Sequence, residues 1–226
     1  MQKLRIEPPV VQVAIDVLTI DAALRIGEAA VRAGVDWLEV GTPLVTFAGV
    51  SAIGALAQAF PGVPVLADYK IMDGARKYVV EAGRQGGRLA TVCAQSSDAT
   101  IRAAIQAGEE AGVAVISDLY NAPDVAQRAA EIAAMGIDSV YVHWGADQRA
   151  ERPERDPLRD LTAALAHVTI PVGVGTFSVE DGVRAFSLGA DIGVVGVPLI
   201  QADDVEGALR AYVEQSKAAY RPRNRG

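Results

Sequence analysis

The feature that most restricts the fold of this 226-residue chain is a repeat. A helix-like stretch ends in Gly, one or two residues follow, and a short β-rich run begins. Ala33-Gly34-Val35-Asp36 leads into Trp37-Leu38-Glu39-Val40, and Gln85-Gly86-Gly87-Arg88 into Leu89-Ala90-Thr91-Val92. The same pattern recurs at Gly112, at Met135-Gly136-Ile137-Asp138 and at Leu188-Gly189-Ala190-Asp191. Gly is the usual left-handed stop of a helix because it has no Cβ to clash. Gly86 to Gly112 is 26 residues and Gly112 to Gly136 is 24, whereas Gly34 to Gly86 is 52 and Gly136 to Gly189 is 53. Each long gap is two units wide, and each holds one more apolar run: Val63-Pro64-Val65-Leu66-Ala67 and Ile170-Pro171-Val172-Gly173-Val174. Val10 to Ile15 supplies the first strand, which makes eight.

These strands read as continuous apolar runs, the mark of parallel strands covered by helices. The intervening stretches are apolar at helical spacing, and Asp21, Asp98 and Asp124 are expected to cap three of them. Eight βα units in one chain predict an α/β fold, a single-domain (β/α)8 TIM barrel over 1–226. An open dinucleotide-binding sheet is disfavoured, since no Gly-x-Gly-x-x-Gly follows the first strand. Residues 221–226 read as a frayed tail.

Composition excludes several classes of function. Half the residues are hydrophobic and 22% are charged, a globular balance. A formal charge of -7 argues against a nucleic-acid or anionic-membrane binder. No run of 18 uncharged apolar residues exists to span a membrane. A single cysteine, Cys93, excludes an internal disulfide and reads as an inert apolar group. The N-terminus has no signal-like apolar core, so a cytoplasmic location is expected.

Active sites of such barrels lie at the carboxyl ends of the strands. Here five of the eight strands end in ionisable groups: Asp16, Glu39, Asp68 with Lys70, Asp118 and His143. No comparable set is expected at the amino ends. Asp68 and Lys70 are two apart, so both should face the barrel axis while Tyr69 points away. A lysine flanked by Asp68 and Asp73 should stay protonated, a clamp for a developing oxyanion rather than a Schiff-base nucleophile. Glu39 and Asp68, on neighbouring strands, suit a hard divalent cation such as Mg2+. His167 lies at the opposite end and reads as structural.

Asp68-Tyr69-Lys70-Ile71-Met72-Asp73 matches the Asp-x-Lys-x-x-Asp motif of the orotidine monophosphate decarboxylase suprafamily. With Glu39-Val40-Gly41-Thr42-Pro43-Leu44 and Val142-His143-Trp144-Gly145-Ala146-Asp147-Gln148, the chain resembles the 3-hexulose-6-phosphate synthase branch over nearly its whole length. That resemblance implies an aldolase joining formaldehyde to D-ribulose 5-phosphate. Glu39 and Asp68 would bind Mg2+ and stabilise a cis-enediolate, with Lys70 adding positive charge. His143 would move protons, and Asp16 and Asp118 would hold substrate hydroxyls. Asp73 would reach into a partner's site, so a homodimer with shared active sites is implied.

The chain also departs from that pattern. The branch usually ends strand seven in Gly-Gly, whose N–H groups help hold the substrate phosphate. Here Thr176-Phe177 stand there after Gly175, and Val197 follows Gly196 on strand eight. Thr176 and Gly196 are the expected phosphate contacts, with Ser178 or an arginine of the 149–159 stretch as compensation. The related 3-keto-L-gulonate-6-phosphate decarboxylases usually carry arginines where this chain has Ala146 and Val197. Both absences favour the aldolase over the decarboxylase. A sugar-phosphate-binding barrel without turnover is a third reading, supported by the altered strand-seven turn.

Overall fold

All five glycine stops take left-handed backbone, with φ between 70° and 96° at Gly34, Gly86, Gly112, Gly136 and Gly189. The chain therefore turns from helix to strand where the repeat requires it. The computed structural model describes residues 2–223, and in it eight strands close into one parallel barrel in sequence order. They are β1 (Val10–Ile15), β2 (Trp37–Val40), β3 (Val65–Ile71), β4 (Leu89–Cys93), β5 (Ala114–Asp118), β6 (Ser139–Val142), β7 (Val172–Thr176) and β8 (Ile192–Val195). β8 pairs with β1 to close the ring, Val10 opposite Ile192.

The helices lie outside. They are α1 (Ile20–Arg32), α2 (Thr42–Ala48), α3 (Ser51–Ala59), α4 (Ala75–Arg84), α5 (Asp98–Ala111), α6 (Val125–Ala134), α7 (Ala146–Glu151), α8 (Leu161–His167), α9 (Val179–Ser187) and α10 (Val205–Ala218). A short 3-10 turn, Leu199–Gln201, precedes α10. Asp124 caps α6 as expected, accepting from the Gln127 N–H at 2.9 Å. Asp21 and Asp98 do not cap α1 and α5; Thr19 and Ser97 do. Those two residues are extended, whereas each aspartate already lies in the first helical turn and adds only charge at the helix N-terminus. No single helix among the described residues is long and apolar enough to cross a membrane.

Side chains alternate inward and outward along each strand, and this separates a floor from a mouth. Val10, Trp37, Leu66, Leu89, Ile116, Tyr141 and Ile192 form one cluster inside the barrel, with Leu4 and Ile6 packed against it. Two residues further along the same strands come Gln12, Glu39, Asp68, Thr91, Asp118 and His143. The barrel is thus apolar at the amino end and polar at the carboxyl end.

The amino ends nevertheless carry an ionic set, contrary to expectation. Asp36, Asp138 and Asp191 each accept the N–H of a residue at or near the start of the preceding strand: Val11 at 2.7 Å, Val115 at 2.7 Å and Val172 at 2.9 Å. Each carboxylate also meets a cation, Lys217 at 2.7 Å, Lys3 at 2.9 Å and Arg223 at 2.9 Å. These pairs pin the chain ends to the barrel floor, where ionic groups serve stability.

Arg223 also corrects the reading of the tail. Its guanidinium donates to the carbonyls of Leu165, Val168 and Ile170, and the Arg221 N–H donates to Phe186 O. Residues 221–223 are therefore anchored; 224–226 lie outside the described residues. Arg223→Ala leaves the fully buried Asp191 without this cation. The expected loss is about 2 kcal/mol, or roughly 4–8 °C in Tm. An unchanged thermal melt would show that the clamp contributes nothing.

Candidate active site

Asp68 is the hub of the mouth. The Thr42 hydroxyl donates to its Oδ2 at 2.5 Å and the Thr91 hydroxyl to its Oδ1 at 2.7 Å, while Lys70 Nζ pairs with Oδ2. Lys70 reaches this position through irregular backbone. β3 shifts register against β4 between Ala67 and Ile71, and Lys70 itself has a φ of 46°. The Thr91 hydroxyl accepts the Lys70 N–H at 3.0 Å and steadies the bulge. A non-Gly residue held left-handed costs about 1–3 kcal/mol, and such residues cluster at functional sites. Tyr69 points away, its ring 5.3 Å from Tyr78.

The second carboxylate beside Lys70 is not Asp73. It is Asp118, whose Oδ2 lies 3.7 Å from Nζ. Asp73 is exposed, one residue before the Gly74 that caps α4, and takes no part in the mouth of its own chain. Burial opposes the charge on Lys70, but Asp68, Asp118 and Glu39 outweigh it and raise its pKa. It remains an ammonium.

Asp118 also holds His143, with Nδ1 2.9 Å from Oδ2 and 3.1 Å from Oδ1. Burial disfavours the Asp118 charge, but His143, Lys70 and the Tyr120 N–H bring its pKa below the usual carboxylate range. Burial likewise pulls His143 down, and Asp118 more than compensates, so its pKa is raised. Nε2 has no hydrogen-bond partner among the described residues. Tyr120 packs on the imidazole at 5.3 Å between ring centroids, in a space that a Cβ on Gly145 would fill. Asp118→Asn removes the charge that raises the His143 pKa. The His143 pKa should drop, and the limb it governs in a rate–pH profile should move to lower pH. A titration of the His143 ring that is unmoved by Asp118→Asn would remove this coupling.

Glu39 is buried and is held by a chain through the barrel. Tyr141 donates to Gln12 Oε1 at 2.6 Å, and Gln12 Nε2 donates to Glu39 Oε2. Burial, then Asp68 and Asp16, push the Glu39 carboxyl well above its usual range. Asp16 sits exposed at the lip, its pKa raised by the protein crowded around it and by Asp68. It fits only because Gly41 has no side chain; a Cβ there would overlap Asp16 Oδ1.

The structure thus gathers Asp16, Glu39, Asp68, Lys70, Asp118 and His143 around one cavity, which Gly175 also lines. Sequence reasoning missed the supporting roles of Gln12, Thr91, Tyr141 and Gly41. Gln12 carried a readable signal, a polar residue inside the apolar run Val10-Val11-Gln12-Val13. Thr176 corrects an expectation. Its buried hydroxyl donates to Val194 O at 2.9 Å and meets Tyr212 OH at 2.7 Å, on the outer side of the barrel. Ser178 is committed as the cap of α9, accepting from Asp181 N–H at 3.0 Å. Gly196 follows β8 beside Ala14 and is half-buried. Burial pushes the Cys93 thiol to about 11, so it is unreactive at neutral pH.

The mouth has the donors for a hard cation. Among the described residues no three His, Cys, Asp or Glu side chains are grouped as a metal cluster. The carboxyl groups of Glu39 and Asp68, with Asp16 beside them, instead repel one another, which adds to burial in raising Glu39 and Asp16. Two oxygen ligands that leave room for water and substrate fit Mg2+ and not structural zinc.

A parallel (β/α)8 barrel with an acid-rich, lysine-centred mouth at the strand carboxyl ends defines a small-molecule enzyme. The profile of the Orotidine 5'-phosphate decarboxylase / HUMPS family matches residues 9–212. The chain belongs to that family, and is an enzyme of the carbon–carbon lyase class. It is 36% identical over 205 residues to a 3-hexulose-6-phosphate synthase of Mycobacterium gastri, covering 88% of this chain and 95% of the relative. A crystal structure of 3-hexulose-6-phosphate synthase from Salmonella typhimurium superposes with a TM-score of 0.89 at 31% identity, over 94% of this chain and 100% of the other. The KGPDC of Streptococcus mutans shares the fold, with a TM-score of 0.86 at 21% identity over 94% and 99% of the two chains.

Proposed function

We propose that the chain is an aldolase that joins formaldehyde to D-ribulose 5-phosphate. The observation that carries this reading is the Lys70 ammonium set between Asp68 and Asp118 beside the free face of His143. Removing a C1 proton from the ketose gives an enediolate, and its carbon attacks the formaldehyde carbon. The formaldehyde oxygen then takes a proton, and the product is a hexulose 6-phosphate. Lys70 supplies fixed positive charge where the enediolate oxygens develop theirs. His143 carries protons at Nε2, while Asp118 at Nδ1 fixes the tautomer and orientation of the ring. Asp16 accepts hydrogen bonds from substrate hydroxyls at the lip. Glu39 and Asp68 would hold Mg2+, which when bound supplies Lewis-acid polarisation of the substrate oxygens.

The reading includes a homodimer. Leu18, Phe47, Met72 and Tyr78 are exposed on segments that follow β1, β2 and β3, the same sector that presents Asp73. A second copy seated there would cover apolar surface and bring Asp73 to a neighbouring mouth. The test of the function is consumption of formaldehyde with ribulose 5-phosphate, with and without Mg2+, run beside 3-keto-L-gulonate 6-phosphate. Formaldehyde consumption is expected. Carbon dioxide release from the keto acid alone would replace the aldolase with a decarboxylase.

A further inference from the structure

The loops after β7 and β8 of such barrels commonly hold a phosphate through backbone N–H groups. In this chain two of those positions give no donor. The Phe177 N–H, just past β7, donates to Asp181 Oδ2 at 3.2 Å, so a carboxylate of the protein already occupies it. The Thr176 hydroxyl faces Tyr212. After β8, Pro198 has no N–H to give. Inside the mouth, Lys70 is committed to Asp68 and Asp118. A substrate that carries an anion away from its reacting carbons needs a cation elsewhere.

One stands over this end of the barrel. Arg149 lies on α7, directly after the loop that carries His143, and its guanidinium sits 4.1 Å from the centroid of the Phe177 ring. It is exposed and has no carboxylate partner among the described residues. Its helix is fixed: Gln148 accepts the Gly145 N–H at 3.1 Å and reaches Asn121 at 3.3 Å. Phe177 thus orients a planar cation at the turn where its own N–H is already taken by Asp181. It follows Thr176 and Gly175, and Gly175 lines the cavity.

We infer that Arg149, laid on Phe177, binds the phosphate of the substrate through its side chain, where the Phe177 N–H is not free to do so. This deepens the aldolase reading and rests on it for the identity of the sugar. The test is calorimetric binding of ribulose 5-phosphate and of ribulose to the full chain, as wild type, Arg149→Ala and Phe177→Leu. Wild type should prefer the phosphorylated sugar. Arg149→Ala should lose roughly 10- to 100-fold for ribulose 5-phosphate and little for ribulose. Phe177→Leu, which keeps an apolar side chain but no ring face, should lose a smaller part. Equal affinity of wild type for the two sugars, or wild-type affinity for ribulose 5-phosphate in Arg149→Ala, would overturn the inference. The two readings fail separately. Arg149-dependent binding without formaldehyde consumption keeps the contact and removes the aldolase. Formaldehyde consumption with a KM for ribulose 5-phosphate indifferent to Arg149→Ala does the reverse.

Discussion

Lys70→Met should lower formaldehyde consumption by about 10²- to 10³-fold while the barrel stays folded. Methionine keeps the length of the side chain and removes only the ammonium. The lost rate is the stabilisation of an oxyanion by a fixed charge in a site shielded from water. The fold should survive because Asp68 keeps its bonds from Thr42 and Thr91, and Asp118 keeps His143. Circular dichroism separates lost chemistry from lost structure. The same variant tests the shared site. In a dimer mixed from Lys70→Met and Asp73→Ala chains, one mouth combines an intact Lys70 with an intact Asp73. An equal mixture should recover roughly a quarter of wild-type activity, because half the dimers are mixed and each holds one good site. Mixed dimers that stay inactive would place Asp73 outside the neighbouring mouth. A folded Lys70→Met that retains wild-type turnover would remove Lys70 from the reaction.

The barrel was legible because its signals are local and periodic. The glycine stops need only a left-handed residue, and the apolar runs need only a parallel sheet. The mouth was legible for the same reason: residues at strand ends in a closed barrel must converge. What local pattern could not supply was geometry across strands. Counting two from Asp68 puts Lys70 on the right face, yet its position depends on a bulge and a left-handed backbone that no motif announces. The neighbour of Lys70 is Asp118, two strands away, and not the nearby Asp73.

Two further features are readable in the sequence. If Gly173 and Gly175 face inward, Thr176 must face outward, and its hydroxyl could not have reached a ligand in the mouth. Asp36, Asp138 and Asp191 stand two residues after Gly34, Gly136 and Gly189, a repeat within the repeat. They pin strand starts and chain ends, which is why acidic groups at the floor coexist with acidic groups at the mouth. The net charge of -7 therefore divides between structure and site.

Glu39→Gln should separate the metal from the carboxylate that would hold it. Glutamine keeps an oxygen to accept from Gln12 Nε2 and removes the charge. In wild type without cation, the Glu39 carboxyl is raised by burial and by Asp68 and Asp16. A raised acid supports the folded state only while protonated, fully so below its unfolded pKa of about 4.3, and that support is lost as pH rises through the folded pKa. Without Mg2+, Glu39→Gln should thus melt higher than wild type at neutral pH, and the gap should close as the pH falls. Mg2+ should reverse the order. At roughly a hundredfold above its Kd it should raise the wild-type Tm by about 5–10 °C and leave Glu39→Gln unmoved. Activity should fall on the order of 10³-fold in the variant. An equal Mg2+ shift in both proteins would place the cation on other ligands, and no shift in either would leave Glu39 as a carboxylate held among like charges with no cation to relieve it.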